Sequence, residues 1–185
     1  MARLLAGEPH YRACISIGNP HPLIRRPGPG EAIPPIIRKS FDHILRLSFY
    51  DLEEAIELPG LGRLGRIPTI GDARRVLRFY EATRPATDGW TIHCWAGVSR
   101  STAVALALLY RITRSEEDAA RALVRIRPEA MPNHLLVAAF DSLLGSRLSG
   151  ALDAVYRGRQ EALRAELDQD LAELEGVEDA GGGDS

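Results

Sequence analysis

A chain of 185 residues has room for one domain with a substantial hydrophobic core, together with an appendage. Its 45% hydrophobic and 26% charged residues are ordinary for a globular protein, and a formal charge of −2 gives no overall field to recruit nucleic acid or an anionic membrane. The apolar run Leu4-Leu5-Ala6 is too short for a signal peptide, no stretch is apolar enough to span a membrane, and two cysteines (Cys14 and Cys94) make no disulfide framework, so free thiols in a reducing, cytoplasmic setting are expected.

In chain order, Ala13 to Gly18 reads as a short strand stopped by Asn19-Pro20. Residues 19–35, with six prolines, read as a loop. Ile44 to Tyr50 alternates apolar and polar residues, which predicts a second strand ending at Asp51. Residues 52–68, with Pro59-Gly60, Gly62 and Gly65, read as a long irregular connection of the kind that often carries function. Thr69-x-x-Asp72 has the spacing of a capping box, and the stripe Ala73, Val76, Leu77 and Tyr80 predicts the helix behind it. Gly89 to Cys94 reads as a strand. Ser101 to Ile112 is apolar nearly all round, so this helix should lie buried at the centre. Ser115 caps a helix over 116–126, and Asn133 caps another that ends near Gly145. Residues 151–175 form a charged helical pattern with leucines at 163, 167, 171 and 174, expected to pack on the domain. The closing GGGDS reads as a disordered tail. Accordingly, 1–148 is read as the main domain, 149–176 as a charged amphipathic helix and 177–185 as tail.

Strand, loop and helix in this alternation predict an α/β fold, a mostly parallel sheet flanked by helices in a three-layer sandwich. Sites in such sheets lie at the carboxyl ends of strands, and Cys94 lies at one.

The segment Ile92-His93-Cys94-Trp95-Ala96-Gly97-Val98-Ser99-Arg100-Ser101-Thr102 carries the chemistry. A buried strand ends in a thiol, a loop (Trp95, Ala96, Gly97, Val98, Ser99) turns back, and a long helix starts at Arg100. Backbone N–H groups of such a loop can converge into an anion nest, and the helix N-terminus adds unpaired donors and partial positive charge. Gly97 permits a positive φ. Arg100 can grip two phosphoryl oxygens at once. The same field lowers the pKa of Cys94 and makes it a nucleophile, and Ser101 can donate to the sulfur.

His-Cys-x5-Arg-Ser, with glycine three positions after the cysteine, resembles the signature loop of the protein tyrosine phosphatase superfamily. The run HCWAGVSRSTA and the chain length look most like small bacterial members related to the dual-specificity phosphatases, over residues 12–145. Arg127-Pro128-x-x-Met131-Pro132-Asn133 is similar to a segment that many of them carry downstream, and Asn133 is expected to support the site. The resemblance implies a cysteinyl-phosphate mechanism without cofactor or metal, and a general acid on a loop before the signature strand. Asp51 is the favoured acid, Asp72 the alternative already explained by capping, and Glu53 and Glu54 weaker candidates. Arg63 and Arg66 are candidates to touch substrate. His93 is expected to hold the loop through backbone bonds, and Trp95 either packs in the core or lines the rim.

Positions 95–99 hold no lysine, against inositol phospholipids, and Ala96 stands where the RNA triphosphatase branch has histidine. A phosphorylated protein, phosphotyrosine first with dual specificity open, or a small phosphomonoester is the expected partner. The alternative is a phosphopeptide-binding module without turnover. Arsenate reductases and low-molecular-weight phosphatases place their motif near the N-terminus with a downstream Asp-Pro, which this chain lacks. Cys14 is a core thiol unless the strands bring it close enough to trap an oxidised Cys94.

Overall fold

The computed structural model describes residues 12–20, 39–52, 56–58, 62–64 and 66–180. Most of the proline-rich stretch 19–35, Glu53, Glu54 and the closing GGGDS lie outside them.

Three strands, β1 (Ala13–Gly18), β2 (His43–Ser48) and β5 (Trp90–His93), form a parallel sheet in the order β2-β1-β5. β1 is central, and its residues Ala13 to Ile17 are buried whichever way they point, as a parallel strand covered on both faces should be. Side chains alternate, so Ile15 and Ile17 share one face with Leu45, Leu47 and Ile92, while Cys14 and Ser16 occupy the other. The first face meets the helices. α1 (Ile70–Thr83) contributes Ala73, Val76 and Tyr80, and α2 (Arg100–Thr113) buries every residue from Arg100 to Leu108 except Ala105. α3 (Glu116–Ile126) adds Ala119, Ala120 and Leu123, and α4 (His134–Leu144) adds Leu136, Val137 and Phe140. Burying each large apolar side chain contributes about 1.5–3 kcal/mol. The α/β architecture expected from the sequence is therefore the one observed.

The caps explain why the helices start where they do. Thr69 and Asp72 form a reciprocal capping box, Ser115 accepts from the Asp118 N–H, and Asn133 accepts from the Leu136 N–H. Gly145 ends α4 at φ 64°, a left-handed position that glycine adopts without penalty.

Three expectations are corrected. The connection 52–68 is not wholly irregular, because β3 (Ile56–Leu58) pairs antiparallel with β4 (Gly62–Leu64) on either side of Pro59-Gly60. β2 stops at Ser48 because the chain then meets its own return, where the Tyr50 N–H donates to Arg66 O at 2.8 Å. The last helix, α5 (Leu148–Ala180), is longer than 151–175, and up to Gln169 only its first turns pack as expected; the side chains of Leu171 and Leu174 lie outside the described residues. Leu148 and Leu152 join the core, with Val155 and Tyr156 against it, but all residues from Arg157 to Gln169 are exposed, Leu163 and Leu167 included. No helix among the described residues is long and apolar enough to cross a membrane.

Candidate active site

The carboxyl ends of all three parallel strands converge on one place. β5 delivers Cys94, the end of β1 delivers Asn19, and the end of β2 delivers Phe49 and Asp51. Between Cys94 and α2 the loop turns tightly, with Gly97 at φ 72°, where a side chain would be strained.

The loop is fastened from outside by its carbonyls. Val98 O accepts from Met131 N–H at 2.9 Å, Ser99 O from Asn133 N–H at 3.3 Å and from Thr102 Oγ1 at 2.7 Å, and Ala96 O from Arg127 at 3.5 Å. In a planar trans peptide the N–H points opposite to the preceding C=O. Outward carbonyls at 96, 98 and 99 thus turn the N–H groups of Gly97, Ser99 and Arg100 inward. Ser99, although it is the N-cap of α2, makes no side-chain cap, so the first-turn donors stay uncapped. The result is a concave set of amides at a helix N-terminus, which suits a tetrahedral anion.

Cys94 Sγ sits at the floor, 3.2 Å from Ser101 Oγ. Partial burial pushes this thiol up, but the Ser101 hydroxyl, the Ser101 and Gly97 N–H groups and the Arg100 charge together hold it below its ordinary value.

Arg100 is only 4% exposed. Its Nη1 donates to Asn19 Oδ1 at 2.7 Å and to Phe49 O at 2.8 Å, which fixes the guanidinium plane. Its Nε, also buried, has no hydrogen-bond partner among the described residues and lies 3.8 Å from Asp51 Oδ2. A buried donor without a partner is costly unless something else meets it.

Asp51 stands beside this edge. Its Oδ1 accepts from Ser99 Oγ at 2.6 Å and from Asn133 Nδ2 at 3.1 Å. Asn133 therefore caps α4 with its oxygen and holds Asp51 with its nitrogen. The rival carboxylate is committed elsewhere: Asp72 is buried, accepts from the Thr69 N–H and hydroxyl, and receives Arg66 Nη2 at 2.6 Å. Arg66 also donates to Ser48 O and lies over the Phe49 ring, so it braces the end of β2 instead of presenting its charge to substrate. For Arg63 only the backbone in β4 is described.

His93 departs from expectation, because its buried Nε2 makes no hydrogen bond among the described residues. Trp95 is 91% exposed, which places it at the rim and not in the core. Cys14 is opposite Thr91 in the sheet register, whereas Cys94 follows His93, the partner of Ser16. That offset is roughly 10 Å along the strands, and a disulfide needs Cα atoms within about 7 Å. Burial also pushes the Cys14 thiol up, outweighing nearby Arg46. Cys14 is a core residue and not a resolving thiol.

The sequence did not assign Asn19 to the site, and it gave Thr102 and Arg127, although they fall within the quoted motifs, no individual role there. Asn19 carried a signal, an asparagine where a strand meets the site edge, but Asn19-Pro20 reads first as a strand stop.

No family model matches the chain, and no curated protein is a significant match. Solved structures do resemble it. Tk-PTP in its active form is 19% identical over 72% of this chain and 78% of its own, with a TM-score of 0.47. DUSP15 is 20% identical over 79% and 78%, with a TM-score of 0.48. Human DUSP28 is 18% identical over 80% and 82%, with a TM-score of 0.46. The chain is thus similar to dual-specificity and protein tyrosine phosphatases of known structure. At such distances its chemistry rests on its own residues.

Proposed function

We propose that the chain is a cysteine-dependent phosphatase that hydrolyses phosphomonoesters, phosphotyrosine in proteins first and other phosphorylated side chains second. One observation carries this reading. A thiol held below its ordinary pKa, a buried arginine whose Nε–H has no partner among the described residues and inward-turned loop amides lie together at one strand end, with the Asp51 carboxylate 3.8 Å from that Nε.

In the first step the Cys94 thiolate attacks phosphorus, forming an S–P bond as the P–O bond to the leaving group breaks. Arg100 and the loop amides hold the equatorial oxygens, whose charge grows towards the transition state. Asp51, protonated, gives its proton to the departing oxygen. In the second step Asp51 takes a proton from water, the resulting oxygen attacks phosphorus, and the S–P bond breaks to return the thiolate and inorganic phosphate. Ser101 stabilises sulfur as it leaves. Ser99 and Asn133 keep Asp51 over the loop. Exposed Trp95 offers an apolar surface to the group that carries the phosphate. The free thiols of Cys14 and Cys94 suit a reducing, cytoplasmic setting.

Turnover of p-nitrophenyl phosphate at mildly acidic pH tests the reading. Hydrolysis by the wild type that Cys94→Ser abolishes is expected, as is a far larger kcat loss in Asp51→Ala on poor leaving groups than on good ones. Tight phosphopeptide binding without any turnover would contradict it and point to a binding module.

A further inference from the structure

The segment 127–133 fastens the phosphate loop and holds Asp51, yet it forms no helix or strand of its own. Something else must fix its backbone, and α5 does so. Tyr156 Oη donates to Ala130 O, and Arg159 Nη1 donates to Pro128 O at 3.0 Å. From there the chain of contacts runs inward without a gap. Met131 N–H bonds to Val98 O, Asn133 N–H to Ser99 O, and Asn133 Nδ2 to Asp51. Ala130 is 2% exposed, so few other donors can reach its carbonyl. The packing environment also keeps the Tyr156 hydroxyl protonated: burial raises its pKa despite nearby Arg159.

We infer that Tyr156 and Arg159 are positioning residues, through which the C-terminal helix sets the geometry of the phosphate loop and of Asp51. This rests on the phosphatase reading for its kinetic consequence, though not for the loop geometry itself. α5 is then part of the catalytic unit up to Arg159, and the boundary expected near residue 148 falls inside that unit. The side chains of Leu148 and Leu152 dock the helix, while the two polar residues one and two turns on transmit its position.

Tyr156→Phe removes the bond and keeps the ring; Arg159→Ala removes the second contact. For each, kcat on phenyl phosphate (a poor leaving group) is expected to fall about three- to tenfold, with p-nitrophenyl phosphate changed less than about twofold. Inorganic phosphate, titrated against tryptophan fluorescence, should bind about threefold more weakly, a readout that needs no turnover. Ser115→Ala serves as the comparison, because it removes a helix cap and lowers stability without altering α5 or the segment 127–133. It should lower Tm and leave both the leaving-group ratio and phosphate binding at wild-type values. If Tyr156→Phe matches wild type in both, or if Ser115→Ala shifts them equally, the inference is overturned. A wild type that binds phosphate but hydrolyses neither ester removes the enzymatic reading alone, and phosphate binding then decides the positioning role.

Discussion

The sulfur of Cys94 is under two opposed influences. Burial disfavours its anion, and hydrogen bonds from Ser101 and Gly97, together with the charge of Arg100, favour it; the second group prevails. Ser101→Ala deletes the strongest of the favouring contacts, so the thiol pKa should rise. Only the thiolate attacks phosphorus, hence less reactive sulfur remains at any pH below the new value. The acid limb of the kcat/KM profile should move to higher pH, and initial rates across a pH series check this. A profile identical to wild type would show that Ser101 does not tune the thiol. Asn19 acts on the partner cation. Asn19→Ala removes a charge-assisted bond from Arg100 Nη1, worth about 1.5–3 kcal/mol, and kcat/KM should drop at least tenfold by that measure. Steady-state kinetics with an unchanged Tm would attribute the loss to the site. The run from Cys94 to Ser101 was legible because its chemistry is contiguous and folds as one loop. Asn19 was not legible in its site role, and Asn133 was legible as a supporting residue but not as the partner of Asp51. Each acts across more than eighty residues, on Arg100 and Asp51 respectively, and a linear pattern does not show such partners.

The elements obey local rules closely where capping chemistry sets their limits. α1, α3 and α4 begin at the residues that Thr69, Ser115 and Asn133 predict, because a side-chain oxygen meeting an orphan N–H is a short-range event. Ser115→Ala should cost about 1 kcal/mol of stability, since its oxygen serves the Asp118 N–H. Activity should be retained, as α3 starts away from the loop. Thermal melts paired with p-nitrophenyl phosphate assays test both halves, and a large activity loss would count against the separation. The hairpin β3–β4 escaped notice because three-residue strands leave too little alternation to read, and glycine and proline dominate the stretch. α5 misled in the opposite sense. Its leucine spacing resembles a packing face, but Leu163 and Leu167 extend past the last contacts with the domain. Periodicity records that a face could be buried and not whether a surface is there to receive it.

For the molecule as a whole, strand order decides where the chemistry goes. With β1 between β2 and β5, the strand ends carrying Asn19, Asp51 and Cys94 must lie side by side, although they are distant in sequence. The core of α2 then holds the loop against them, so the same packing that stabilises the fold aims the helix N-terminus at sulfur. α/β class was legible from the alternation of elements; sheet order was not, because parallel strands carry no turn that fixes their neighbours. The central claim, that this arrangement holds the Cys94 thiol below its ordinary pKa, is tested most directly by the rate of iodoacetate alkylation of Cys94 as a function of pH, with the modified residue identified by mass spectrometry. A midpoint well below the value of about 8.5 for a free cysteine is expected. A midpoint at that ordinary value would contradict the claim.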